Sequence, residues 1–346
     1  MHEKKNSALV MLSVSLAAIA LWNVALPVWN GASLSDSLWD ISGCCAAASA
    51  WGVPLLIAGM GCRYLTGDPV YSVGFILKKR LPRAFAGLAV WWLVSTLFLM
   101  KNTRPDEIDT DTFFETMAKV LETPYQVKLL MLVVMLFAFY PLLKRIADNE
   151  KLTAYAVTVF AVMSVIVPVL RYIPYLRYIN LFASQINWGF FTEFGLYLFL
   201  GVFLSRRSFE WHYRVVIYCA GVLSTVAMYS TAVWTYTQEN GMDNTFVSEA
   251  SPFVAVQVSA VIVLIMTLCE KSKNKGAAPI WNAVARCSYV YIPLCAIVVG
   301  ITNRTLSTDA LSPAISIPVN AAISLIVALT LSAVFRRLPI LSYFSV

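Results

Sequence analysis

The densest cluster of chemistry-bearing side chains is FILKKRLPR at 75–83, where Lys78, Lys79, Arg80 and Arg83 directly precede an apolar run. Pro82 is placed for the first turn of a helix, where its missing N–H costs nothing. Arg80 and Arg83, three residues apart, then share one helix face. Arginine forks and lysine point charges match phosphate oxygens, so the cluster suits a phosphorylated ligand such as coenzyme A. The same composition also anchors a helix against anionic lipid headgroups. Arg63, across the same short loop, fits either role.

Ionisable groups inside apolar runs are expensive and therefore candidates for function. Two stand out: Lys128 in YQVKLLMLVV and Glu193 in FFTEFGLYLFLG. They could pair across a cavity or meet a substrate, although the long stem of Lys128 also lets it snorkel to the membrane surface. Arg171 and Arg177 lie in RYIPYLRYIN, which reads either as an interfacial belt or as a site for a sugar or lipid phosphate. His2 and His212 both fall outside the apolar runs, so no imidazole base lies within a span. No G-x-S-x-G, H-E-x-x-H or Walker-type motif is present, which removes the common hydrolase and nucleotide-motor readings. The cysteines have neither metal-ligand spacing nor a disulfide framework, and no metal is expected.

The elements that must position these residues are membrane helices. The chain is 59% hydrophobic and 13% charged, with a mean hydropathy of +0.71, whereas a soluble domain carries roughly 25% charged residues. Runs of about 20 apolar residues, the length needed to cross a bilayer, recur along the chain. The spacing predicts helices over 7–30, 38–60, 82–100, 126–144, 152–170, 188–205, 213–234, 252–269, 283–301 and 313–335. An all-α bundle of about ten transmembrane helices in a single domain, 1–346, is the expected fold. The first run follows Lys4 and Lys5 but continues without a clear cleavage site, so it is read as a retained helix.

Charge alternation gives a second view of the same arrangement. With the N-terminus inside, 19 of the 26 lysines and arginines fall in cytoplasmic segments, as the positive-inside rule requires. The outer loops are acidic, notably Asp106, Glu107, Asp109, Asp111, Glu115 and Glu122. An even helix number with both termini cytoplasmic follows. The net charge of +7 is thus explained by orientation, and no nucleic-acid motif accompanies it. Within the longest outer loop, DTFFETMAKVLE at 111–122 is amphipathic and reads as a surface or packing helix.

WGVPLLIAGM at 51–60 followed by FILKKRLPRAFAGLAVWW at 75–92 resembles the second-to-third helix region of acyltransferase family 3. YQVKLLMLVVMLFAFYPLLKR at 125–145, FFTEFGLYLFLG at 190–201 and CSYVYIPLC at 287–295 are similar to later segments of that family, in the same order. The resemblance implies an enzyme of the bacterial cytoplasmic membrane. Such an enzyme takes an acyl group, commonly acetyl, from cytoplasmic acyl-CoA and delivers it to a hydroxyl of a surface glycan or lipid-linked sugar. Its partners would be the bilayer, that acceptor and other envelope-assembly proteins, with no nucleic acid.

The departures from the family concern its catalytic histidines. Helix one, ALVMLSVSLAAIALWNVALP, lacks the family's arginine and histidine, and Asn23 is the nearest polar residue. Gln126 stands where the resemblance expects a histidine, Lys128 where it expects a tryptophan, and Cys295 where it expects the last histidine. Asn and Gln exchange no proton near neutral pH, so Glu193 is left as the candidate acceptor of a hydroxyl proton. On the enzyme reading, Lys79, Arg80 and Arg83, with Arg63 beside them, are the candidates for binding the donor, and Lys128, Arg171 and Arg177 those for binding the acceptor. A transporter or flippase on the same scaffold, or a non-catalytic partner in glycan assembly, would dispense with the histidines.

Overall fold

A computed structural model describes residues 2–32, 37–66, 72–100, 115, 125–166, 169, 189–239, 246–249, 251–271, 278–305 and 312–337. Among the described residues there is no strand. The first helix, α1 (His2–Gly31), is followed by α2 (Ser37–Ser49) and α3 (Gly52–Leu65). Val73–Phe75, a π turn at Ile76–Arg80 and Leu81–Met100 run on as one helix, α4. Then come α5 (Tyr125–Ala138), α6 (Tyr140–Asp148) and α7 (Glu150–Ala161), the last continued by a π turn at Val162–Ile166. The remaining helices are α8 (Gly189–Leu204), α9 (Trp211–Glu239), α10 (Pro252–Lys271), α11 (Ala278–Thr305) and α12 (Pro313–Arg337).

Among the described residues, seven helices are long and apolar enough to cross a membrane, α2 and α3 counting together as one, and eight if the bent pair Val127–Ala138 and Tyr140–Asp148 counts as one span. Their outward faces are apolar too: Val216, Val222, Leu223 and Val226 of α9 are exposed. Such a belt is stable only against hydrocarbon. The chain is an integral membrane protein. Within the described residues the apolar runs are helical, but 38–60 is divided between α2 and α3 and 126–144 between α5 and α6, and 152–170 and 188–205 give only the short α7 with its π turn and α8, so seven or eight spans stand where the sequence predicts ten. The amphipathic stretch 111–122 lies outside the described residues apart from Glu115.

Three local deviations from straight helices follow from the sequence chemistry. In α4 the Leu81 N–H reaches back five residues to the Ile76 carbonyl. This widened turn sits immediately before Pro82, which has no N–H to offer and whose ring would clash with the carbonyl four residues back. The helix therefore starts at Val73, capped by the Ser72 hydroxyl, which accepts from the Phe75 N–H at 3.2 Å. Proline acts again at Pro141: α5 stops short of it, and α6 leaves at 73°. The third is a break between Ser49 and Gly52, where α2 passes into α3.

At the centre stands α1, packed against α2, α3, α10, α11 and α12. α3 is wedged between α1 and α8. Its glycines set both approaches. A Cβ at Gly52 would lie 2.9 Å from the Ile19 backbone nitrogen of α1, and one at Gly201 of α8 would lie 2.5 Å from the Ala58 carbonyl oxygen of α3. Gly61 meets the Leu198 carbonyl in the same way. Between membrane helices, where no hydrophobic force is left to draw them together, such backbone-to-backbone packing supplies the attraction.

Candidate functional site

The ends of the helices sort by charge. At one end Lys144 of α6 donates to the Leu65 carbonyl of α3 at 2.6 Å and pairs with Asp148 at 2.8 Å. Arg206, after α8, donates to the Ala147 carbonyl of α6. Arg207 pairs with Glu150 at 3.6 Å, and Arg214 with Glu270 at 3.2 Å. These contacts tie the ends of α3, α6, α7, α8, α9 and α10 into one basic face. The opposite end is aromatic. Trp29 and Trp39 meet edge to face at 5.5 Å, Tyr229 and Tyr236 pack on Trp39, and the Tyr229 hydroxyl donates to Asp40 at 2.6 Å.

The basic cluster 78–83 lies on the basic face, within and just after the π turn of α4. Lys79 is exposed, Arg80 and Arg83 are half-buried, and Lys79 and Arg80 both stand over the Phe75 ring, at 5.6 and 6.0 Å. Arg63 occupies the last turn of α3, its guanidinium 5.8 Å from the Tyr64 ring. Tyr64 in turn meets Phe137 of α5 edge to face at 5.3 Å. π turns occur often at functional sites, and this one widens the helix where three successive cations project.

In the bilayer interior the structure brings together Asn23 of α1 and Cys295 of α11. The Asn23 amide donates to the Cys295 Sγ at 3.8 Å. One turn earlier in α11, Tyr291 donates to the Leu16 carbonyl of α1 at 2.9 Å. Cys295 and Tyr291 are fully buried and Asn23 is half-buried, so the seam is polar but closed. Pro293 sits between them inside α11.

The other predicted residues are dispersed. Gln126 and Glu193 lie near the starts of α5 and α8, and their side chains fall outside the described residues. Among the described residues neither helix packs extensively on α1, α3 intervenes between α1 and α8, and α5 and α8 face each other across an apolar cleft. Lys128 is exposed near the start of α5, at the end opposite the basic face. Arg171 and Arg177 lie outside the described residues.

Compared with family models, with curated proteins and with solved structures, the chain matches none. Among the described residues, two cavities bear on the basic face and its surroundings. One of about 190 Å³ on the basic face is lined by Ser7, Ser205, Arg206, Arg207, Ser208 and Glu270 among others. In the sequence, Arg206 and Arg207 count only as orienting cations, although the S-R-R-S spacing at 205–208 is a usable signal for an anion-facing turn. The other, about 270 Å³, is an almost wholly apolar cleft under the bend between α5 and α6. No group of three or more His, Cys, Asp and Glu side chains suited to a metal occurs among the described residues.

Proposed function

We propose that this chain is a membrane acyltransferase-like protein on a ten-helix scaffold, with both termini and the basic face in the cytoplasm. Acyl-CoA, commonly acetyl-CoA, docks at that face through Arg80 and Arg83, with Lys79 and Arg63 beside them. The acyl group passes to a hydroxyl of a surface glycan or lipid-linked sugar: a C–O bond forms, the thioester C–S bond breaks, and the hydroxyl proton leaves through a side-chain acceptor to the coenzyme A thiolate. Glu193 is the carboxylate assigned to that proton, with Gln126 and Asn23 as polar neighbours of the acceptor and Lys128, Arg171 and Arg177 along its outer path. A bacterial cytoplasmic membrane is the expected setting.

The observation that carries this reading is the Asn23–Cys295 pair at 3.8 Å. Cys295 stands where the resemblance expects the last histidine and Asn23 is the polar residue nearest the missing helix-one pair; the two lie on helices far apart in sequence and meet in the seam between α1 and α11. A second reading has its own support: among the described residues α1, which carries Asn23, packs extensively on neither α5 nor α8, which carry Gln126 and Glu193. On that reading the scaffold binds without catalysis, as a small-molecule or glycan-precursor flippase or as a partner in envelope assembly.

Purified protein reconstituted with radiolabelled acetyl-CoA and glycan acceptors should consume thioester and yield acylated product. Intact coenzyme A binding with neither signal sinks the enzyme and leaves the non-catalytic scaffold. Replacing both Arg80→Ala and Arg83→Ala should weaken coenzyme A binding by at least about tenfold, since each lost hydrogen bond to a charged group is worth ~1.5–3 kcal/mol. Unchanged affinity reduces the cluster to an orienting role.

A further inference from the structure

The apolar cleft beneath the α5–α6 bend is built by one continuous stripe. Leu136 and Phe139 at the end of α5 hand over to Leu143 and Ile146 of α6, at spacings of three and four residues that survive the change of direction. The facing wall is α8, where Gly195 and Phe199 line the cleft. Gly195 lets α8 close on α7, because a Cβ there would meet the Phe160 ring, itself part of the lining, at 3.0 Å. The wall is held open from the basic face: Lys144 fastens α6 to the α3 terminus, and Arg206 fastens the α6 C-terminus to the end of α8.

The cleft opens toward the bilayer at exposed Phe139 and Leu142. Bent by 73° from a membrane-spanning helix, α6 turns Leu143 and Ile146 into the cleft and leaves Leu142, Arg145 and Asp148 exposed, a mixture of apolar and charged exposure that suits a helix lying in the headgroup layer. Exposed Arg145, one turn from Leu142, flanks the apolar stripe at this mouth. An apolar cavity of about 150 Å³ takes up a benzene ring, so the cleft's volume of about 270 Å³ accommodates roughly ten carbon atoms. We infer that the cleft is a binding site for one acyl chain of an anionic phospholipid from the leaflet at the basic face, with its headgroup against Arg145. Charge selects the occupant: a cation at an apolar mouth within the headgroup layer favours an anionic headgroup over a zwitterionic one. The site is separate from the Asn23–Cys295 seam and independent of acyl transfer.

The test is native mass spectrometry of the full-length protein in detergent, titrated with phosphatidylglycerol and with phosphatidylcholine. One phosphatidylglycerol should be retained per chain, about fivefold more tightly than phosphatidylcholine, the preference expected from one arginine at the surface. Arg145→Gln should abolish that preference. Met135→Trp, at the partly exposed edge of the cleft, should reduce retention at least about tenfold, while Val222→Trp on the lipid face of α9 leaves it unchanged. A series of phosphatidylglycerols of increasing chain length needs no variant. Affinity should rise by about fourfold per methylene and level off near roughly ten carbons. Equal binding of the two headgroups, retention unaffected by Met135→Trp in a folded protein, or affinity that climbs without a plateau as bulk partitioning does, overturns the assignment.

Discussion

Adding a single methyl group at Gly61 should unseat α8 from α3. A Cβ at Gly61 would run into the carbonyl oxygen of Leu198, and at the reciprocal position one at Gly201 would stand 2.5 Å from the Ala58 carbonyl oxygen and 2.9 Å from its carbon. Both obstacles are backbone, which cannot rotate aside as a side-chain tip can. Overpacking costs ~1–3 kcal/mol, and rigid neighbours put Gly61→Ala near the upper end. Alanine returns ~1 kcal/mol through its better helix propensity. The net loss is therefore ~2 kcal/mol, or about a thirtyfold shift in the folding equilibrium. Gly74→Ala is the control: nothing lies within 4 Å of its Cβ, so only the propensity term acts and stability holds or rises. Reversible unfolding by SDS from mixed micelles, followed by circular dichroism, reads both. Gly61→Ala unfolding at the same or a higher SDS fraction than the wild type would refute the close-packing argument.

Two further perturbations probe the ends of the bundle. Lys144→Met removes the donor to the Leu65 carbonyl and the Asp148 ion pair, a loss of ~1–3 kcal/mol for a charged hydrogen bond; amide exchange in Tyr140–Asp148 should accelerate by about tenfold or more, and unchanged exchange would mean the anchor is idle. Tyr229→Phe and Asp40→Ala, singly and together, should show a coupling of about 1 kcal/mol for their exposed 2.6 Å hydrogen bond. A coupling below ~0.5 kcal/mol would place that pair in free exchange with water.

The helices were legible because a membrane span is a local property: about 20 apolar residues suffice to specify it. What escaped the sequence reading lies where apolar runs continue through a change of geometry. LLMLVVMLFAFYPLL reads as unbroken hydrocarbon, yet α5 ends within it and α6 departs at 73°. Pro141 was the available signal, since its ring excludes a helix continued from four residues back. Pro82 read as a first-turn residue, but the helix has already begun at Val73 and a π turn at Ile76–Arg80 accommodates the proline inside it.

The candidate site was legible only as a set of separate residues. Asn23 and Cys295 are visible in the sequence as polar or reactive side chains in apolar runs, but their meeting depends on α1 and α11 sharing a seam. Arg206 looks like any orienting cation until the chain places it against the α6 carboxyl end. Spacing along a chain carries no information about contacts made between helices that are hundreds of residues apart.

The glycine contacts on both sides of α3 also govern how this molecule can move. Side chains that interdigitate can slide by hopping between rotamers, but backbone resting on backbone has no such slack. α1, α3 and α8 must therefore travel as one rigid slab. Any alternation between inward-open and outward-open forms has to be hinged elsewhere: at the Ser49–Gly52 break, at the α5–α6 bend, or along the α9–α10 pair, which packs on the slab through α10. A transport cycle on this scaffold would be a swing of that outer pair against a stationary slab rather than a rocking of two equal halves.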